Sequence, residues 1–169
     1  MSLRKIVKYG DPVLRKKCPP VKTIGKEIEK LIQDMLETMY DAPGIGLAAN
    51  QIGVPLAVAV IDLQPNGKME PLVLINPRIV ELKGRLFEEE GCLSIPGFLS
   101  QIKRYSYAKV SALNEKGFPI ACVGEGLLAR ALQHETDHLN GKFYMDRVPL
   151  FKRLKLYAQI RKVKKLDRW

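Results

Sequence analysis

Between residues 24 and 40 the apolar positions Ile24, Ile28, Leu31, Ile32, Met35, Leu36 and Met39 recur at three- and four-residue steps. That rhythm predicts an amphipathic helix with one buried face. Thr23 offers an N-cap hydroxyl, and Asp41-Ala42-Pro43-Gly44 a stop. The pattern then changes. GIGLAANQIG is followed by the apolar run PLAVAVIDL, which has strand length and ends at Pro65-Asn66-Gly67. Residues 72–82 predict a strand interrupted at Asn76-Pro77, which demands an edge position or a bulge. Residues 84–93 predict another strand, and YSYAKVSAL and FPIACV read as hairpin arms around residues 114–117. Gly124-Glu125-Gly126 opens a helix, LLARALQHETDHLN, that Gly141 can close. Residues 150–166 predict a last helix with Leu150, Leu154, Tyr157, Ile160 (or Ala158) and Val163 on its apolar face. A helix, then strands, then two helices is an α+β order. It predicts mixed or antiparallel strands packed around a central helix, with an N-terminal and a C-terminal helix beside them.

Composition narrows the class. A chain of 169 residues with 46% hydrophobic content fits one ordinary globular domain. No run approaches a membrane span. The start, MSLRKIVKYGDPVLRKKCPP, reads neither as a signal peptide nor as a transit peptide, so the expected location is a cytosol. Three widely spaced cysteines, Cys18, Cys92 and Cys122, argue against a disulfide framework. Structural burial is the plain reading of Cys18 and Cys122.

Both histidines of the chain, His134 and His138, lie in QHETDHLNG. Four residues apart on a helix, they stack on one side and can reach one cation. Glu135 sits one step round, where it can reach a water on that cation without ligating it. The bland alternative is a solvated polar helix face. Against it, Gly126, Leu127 and Ala131 precede the histidines on their stripe and Leu128, Leu132 and Leu139 flank it, which points the stripe inward. A catalytic centre needs a third protein ligand and an open position. Tyr144 stands where one metalloprotease pattern has a third His, and no Glu follows His138. Upstream, EGCLSIPG offers Cys92, and a thiolate is a strong ligand for a divalent ion. A Cys-His-His site resolves both the odd cysteine and the missing ligand.

Three motifs, GIGLAANQ at 44–51, EGCLS at 90–94 and QHETDH at 133–138, together resemble those of the peptide deformylases, in order and separation. GDPVLRKKC resembles the family's start, and the likeness extends to about residue 148. Gly44-x-Gly46-x-x-Ala49 also mimics a dinucleotide loop, but it follows a helix where that loop must follow a strand. The resemblance implies removal of the N-formyl group from N-formylmethionyl peptides, with release of formate. It implies Cys92, His134 and His138 as metal ligands, and Fe2+ as the ion in cells. Zn2+, Ni2+ or Co2+ can occupy such sites. A water on that ion, its pKa brought toward about 7, would attack as hydroxide. Glu135 would act as general base and then acid. The Leu93 N–H and the Gln51 side-chain amide would hold the oxyanion. Gly46 would let the peptide approach closely, with Ile45 and Leu93 lining the groove. One departure is local: Phe98-Leu99-Ser100 stands where many members carry an arginine or another polar residue near position 99, and Arg104 is a candidate for a different family position.

The net charge of +10 is uneven: residues 150–169 carry eight Lys and Arg against Asp167, and the preceding residues 20 basic against 17 acidic. The tail, 149–169, is expected to be a basic amphipathic helix packed on or extending from a catalytic unit of 1–148. A solvated face, an anionic membrane surface and a phosphate-rich partner all fit it. By similarity to deformylases that dock on the ribosome through such a helix, ribosomal RNA is the expected partner, and the protein a monomer of the bacterial cytosol. Two rival readings remain: a metallopeptidase, and an RNA-binding domain with a structural metal.

Overall fold

The computed structural model describes residues 3–165. Residues 166–169, including the end of the expected last helix, lie outside them. Helix α1 spans Lys26–Asp41 and buries Ile28, Leu31, Ile32, Met35 and Met39. Its N-cap is Gly25, without a side-chain cap bond, so Thr23 does not cap it. Asp34 lies in the buried face, paired with Arg4 at 2.7 Å and Lys30 at 3.1 Å.

Seven strands follow: β1 (Gly46–Ala48), β2 (Val58–Ile61), β3 (Leu72–Lys83), β4 (Leu86–Cys92), β5 (Ile95–Arg104), β6 (Tyr107–Leu113) and β7 (Pro119–Glu125). All described pairings are antiparallel, in a five-stranded sheet ordered β1-β2-β3-β6-β7 and a separate β4–β5 pair. The sequence pattern omits β5, whose Pro96-Gly97 start and mixed burial give no clean alternation. At Asn76-Pro77 the register of β3 against β6 shifts while Asn76 takes a positive φ of 56°. This is the bulge, not an edge, because β3 has neighbours on both sides.

Strand β2 is buried on both faces, which explains its continuous apolar run. Val58 and Val60, with Val73 and Ile75 of β3, face α1. Ala59, Ile61 and Leu74 face helix α2, Gly126–Leu139. On that side the contacts are small: Ala48, Ala59, Ala108 and Ala112 meet Ala129 and Ala131. Small side chains let the helix lie close to the sheet, and α2 carries the histidines. A third cluster joins Ile95 and Ile102 of β5, Phe143–Met145, and Leu156 and Ile160 of α3, Leu150–Lys165.

The apolar stripe of α3 differs from the sequence expectation. Leu156 and Ile160 are buried, with Tyr157 partly so, whereas Leu150 (61% exposed), Phe151 (70%) and Leu154 (57%) face outward. Apolar residues occur all round this helix, so spacing alone could not choose the face. No described helix is long and apolar enough to cross a membrane.

Candidate metal centre and cleft

Cys92 ends β4, while His134 and His138 sit on the last turns of α2. The pairing of β4 with β5 and the close seat of α2 bring them together. Cys92 Sγ is 3.1 Å from His138 Nε2, which is 3.1 Å from His134 Nε2. The three ligand atoms all lie within 4.8 Å of one another. Three electron-pair donors so placed repel unless a proton or a cation lies among them. One thiolate with two imidazoles suits a divalent transition ion, so the donor set fits a metal.

The protein holds this arrangement through a buried relay. His134 Nδ1 meets Glu90 Oε1 at 2.5 Å, which leaves Nε2 bare toward the cluster when Nδ1–H donates. Arg104, fully buried, donates to both oxygens of Glu90 at 3.0 and 2.6 Å and to Asp137. Arg147 grips both oxygens of Asp137 at 2.8 Å. Burial penalises the Glu90 carboxylate, but the bonds from His134 and Arg104 outweigh it and hold its carboxyl at about 2. Burial also opposes charge on His134, and contacts with Cys92 and Glu90 reverse the balance and raise its basicity. At His138 burial, with His134 and Arg104 beside it, lowers basicity.

Glu135 is buried, and its Oε2 has no partner among the described residues. Burial first, then the nearby negative charge of Glu90, pushes its carboxyl up to about 7 despite His134. Its Oε1 lies against Gly46, where a Cβ would collide with it. Gly46 thus makes room for this carboxylate, a demand that sequence reading did not foresee.

Gln51 is nearly fully buried. Its Oε1 accepts from the Ala48 N–H at 2.9 Å, so its Nε2 faces Ser94 Oγ at 3.2 Å and Cys92 Sγ at 3.5 Å. Asn50 Nδ2 donates to the His138 carbonyl at 2.7 Å and ties this loop to α2. A cleft of about 510 Å³ opens here, lined by Ile45, Gly46, Gln51, Leu93, His134 and Glu135 among others. Every residue expected from the sequence to hold the metal, act on the substrate or line its groove therefore lies in or beside one cleft. Sequence reasoning missed Glu90, Asp137 and Asn50, and named Arg104 only as a candidate for a family position, without its partners. Glu90 stands two residues before Cys92, Asp137 next to His138 and Asn50 next to Gln51, so adjacency in sequence was the available signal; Arg104 meets the site only through long-range packing. Cys18, by contrast, sits in the apolar cluster under α2, and burial pushes its thiol up to about 11.

Such a cleft defines a candidate metallohydrolase centre. Comparison with known proteins is specific. The sequence pattern described as "Polypeptide deformylase" matches residues 3–154. A peptide deformylase of Clostridium botulinum (strain Alaska E43 / Type E3) is 51% identical over 147 residues, 87% of this chain and 97% of that protein. The crystal structure of a peptide deformylase from Legionella pneumophila superposes with a TM-score of 0.91 at 45% identity, covering 98% of both chains. One from Synechococcus elongatus, solved in complex with actinonin, gives 0.88 at 42% identity, covering 94% of this chain and 88% of that one. The chain belongs to the polypeptide deformylase family. It is an enzyme, a hydrolase, and the readings as a metallopeptidase or as a non-enzymatic RNA-binding domain are set aside.

Proposed function

We propose that this enzyme removes the formyl group from the N-terminal formylmethionine of newly made peptides and releases formate. The observation that carries this reading is the convergence of Cys92, His134 and His138 beside the buried carboxyl of Glu135 in one open cleft. Cys92, His134 and His138 would hold one divalent ion, Fe2+ in the cell, with Zn2+, Ni2+ or Co2+ able to replace it. Such an ion supplies Lewis acidity and brings the pKa of a coordinated water toward about 7.

The side chains do the rest. Glu135, whose Oε2 is free of protein partners among the described residues, takes a proton from the attacking water and returns it to the leaving nitrogen. The Gln51 Nε2, aimed by the Ala48 bond to its oxygen, and the Leu93 N–H donate to the developing oxyanion. Each such donor contributes about 3–4 kcal/mol to the barrier reduction. Ile45 and Leu93 wall the groove beside Gly46.

In this reading residues 1–148 form the catalytic unit, built round the helix that carries the histidines, and 149–169 a basic segment whose helix packs on it through Leu156 and Ile160. The enzyme is a monomer of the bacterial cytosol. The tail's charge of +7, eight basic residues less Asp167, favours ribosomal RNA as its partner. Co-sedimentation with ribosomes should vanish when the exposed Lys152, Lys155, Arg161, Lys162 and Lys165 are replaced by Gln, which leaves Leu156 and Ile160 in the core, and equal pelleting would exclude docking through the tail. The catalytic reading is tested by formate release from formyl-Met-Ala-Ser. Metal-loaded wild type should release formate, and Glu135→Ala should lose this while retaining its metal. Wild type that releases none refutes it.

A further inference from the structure

Three consecutive residues near the N-terminus donate hydrogen bonds to the two segments assigned above to the oxyanion. The Val7 N–H donates to Gln51 O at 2.8 Å, and the Tyr9 N–H to Ser94 O at 2.9 Å. Between them, Lys8 Nζ donates to Leu93 O at 3.0 Å. In an extended chain alternate side chains point to opposite sides. Val7 and Tyr9 pack into the third apolar cluster, and Lys8 lines the cleft instead. Tyr9 is anchored further by an edge-on contact with Phe143 (centroids 5.3 Å apart) and a stack on Tyr157 (5.8 Å). The ammonium therefore extends from an anchored segment, not from a loose tail.

We propose that Lys8 is a positioning residue for the deformylation step, holding the Cys92–Ser94 turn so that the Leu93 N–H stays aimed at the oxyanion. The Leu93 and Ser94 carbonyls are both clamped from one N-terminal segment, Leu93 by a charge-assisted bond, the stronger kind. With both carbonyls held, the peptide units after Leu93 and Ser94 cannot rotate freely, and the Leu93 N–H inherits that order. The same segment takes the carbonyl of Gln51, the residue that supplies the other donor. Both oxyanion donors are thus registered against a single element that contributes no atom to the reaction. The interaction matters in the transition state, when charge reaches the oxygen, more than in substrate binding.

This inference rests on the deformylase reading, and its test separates the two. Metal-loaded wild type, Lys8→Met and Lys8→Arg are compared on formyl-Met-Ala-Ser for kcat, KM, bound metal and melting temperature. Lys8→Met keeps the length of the side chain and removes its donors and charge. It should lower kcat by about tenfold, less than the about hundredfold or more for deleting a donor outright. KM should stay within about twofold and metal content should not change. Lys8→Arg, which restores a charged donor, should recover most of the lost kcat. A purely structural lysine would lower the melting temperature without this split. If wild type is active and Lys8→Met matches it in kcat, or loses activity only through KM or metal, or if Lys8→Arg rescues nothing, the proposal is overturned. Wild type without formate release overturns the functional reading, and this one with it. Should Lys8→Met fail to fold, the kcat, KM and metal content of Lys8→Gln, which keeps a shorter uncharged donor, decide by the same criteria.

Discussion

Replacing Arg104 by Met would leave the Glu90 and Asp137 carboxylates buried with one partner fewer each. Asp137 keeps Arg147, so the larger loss falls on Glu90, which keeps only His134. The fall of the Glu90 carboxyl from 4.5 to about 2 corresponds to a preference of about 3 kcal/mol for its charged form, shared between His134 and Arg104. Breaking a buried pair costs about 3–5 kcal/mol, and the surviving partners place Arg104→Met near the lower end, about 3 kcal/mol. For a chain of this size that is a drop in melting temperature of about 6–12 °C. A carboxyl depressed in the folded state stabilises fully above its unfolded value, and this is lost as pH falls through the folded value. The Glu90 part of the gap between wild type and Arg104→Met should therefore narrow as pH falls from about 4.5 toward 2. Urea denaturation of both proteins, metal-free so that ion loss in acid does not enter, measures it. A melting temperature within about 2 °C of wild type at pH 7, or a gap that fails to narrow in acid, refutes the reasoning.

Gly46→Ala should displace the Glu135 carboxylate and cut formate release by about tenfold or more while the fold persists, since a Cβ there collides with Glu135 Oε1; full activity would show that the carboxylate has room elsewhere. Ile160→Ala, at 1% exposure, should cost about 2–5 kcal/mol, whereas Leu154→Ala, at 57%, should stay within about 0.5 kcal/mol; equal losses in denaturation would restore the other face of α3 to the core. Without metal, burial holds the Glu135 carboxyl near 7, so at pH 6 most of it is protonated. Adding Zn2+ should ionise it, seen as loss of the carboxylic C=O infrared band in wild type but absent from the difference spectrum of Glu135→Ala.

The site was legible where its chemistry is local. His134, Glu135 and His138 follow from a single helical turn, and β2 announced its double burial by an unbroken apolar run. Cys92 emerged from what the histidine helix lacked. Arg104 surfaced only as a candidate without a role, because its partners lie 14 and 33 residues away and nothing in its neighbourhood marks it as buried. Strand β5 escaped for a related reason: its partner is β4, and a two-stranded pair exposes much of both faces. The face of α3 was ambiguous since Leu150, Phe151, Leu156 and Ile160 surround the helix. Only docking against Phe143–Met145 and β5 selects Leu156 and Ile160. Lys8 carries no motif at all and becomes visible only once Leu93 is placed.

The thiol and the second imidazole are separated by 46 residues of chain, yet their ligating atoms lie 3.1 Å apart. An unfolded chain keeps the two histidines as neighbours but throws the sulfur far off, so its grip on an ion is that of a bidentate peptide. Ion and fold are therefore thermodynamically linked: every tenfold tighter hold by the folded form over the unfolded adds about 1.4 kcal/mol to stability at saturation. Chelation should soften the whole domain, and cells short of the ion should carry a more protease-sensitive protein, not merely an idle one.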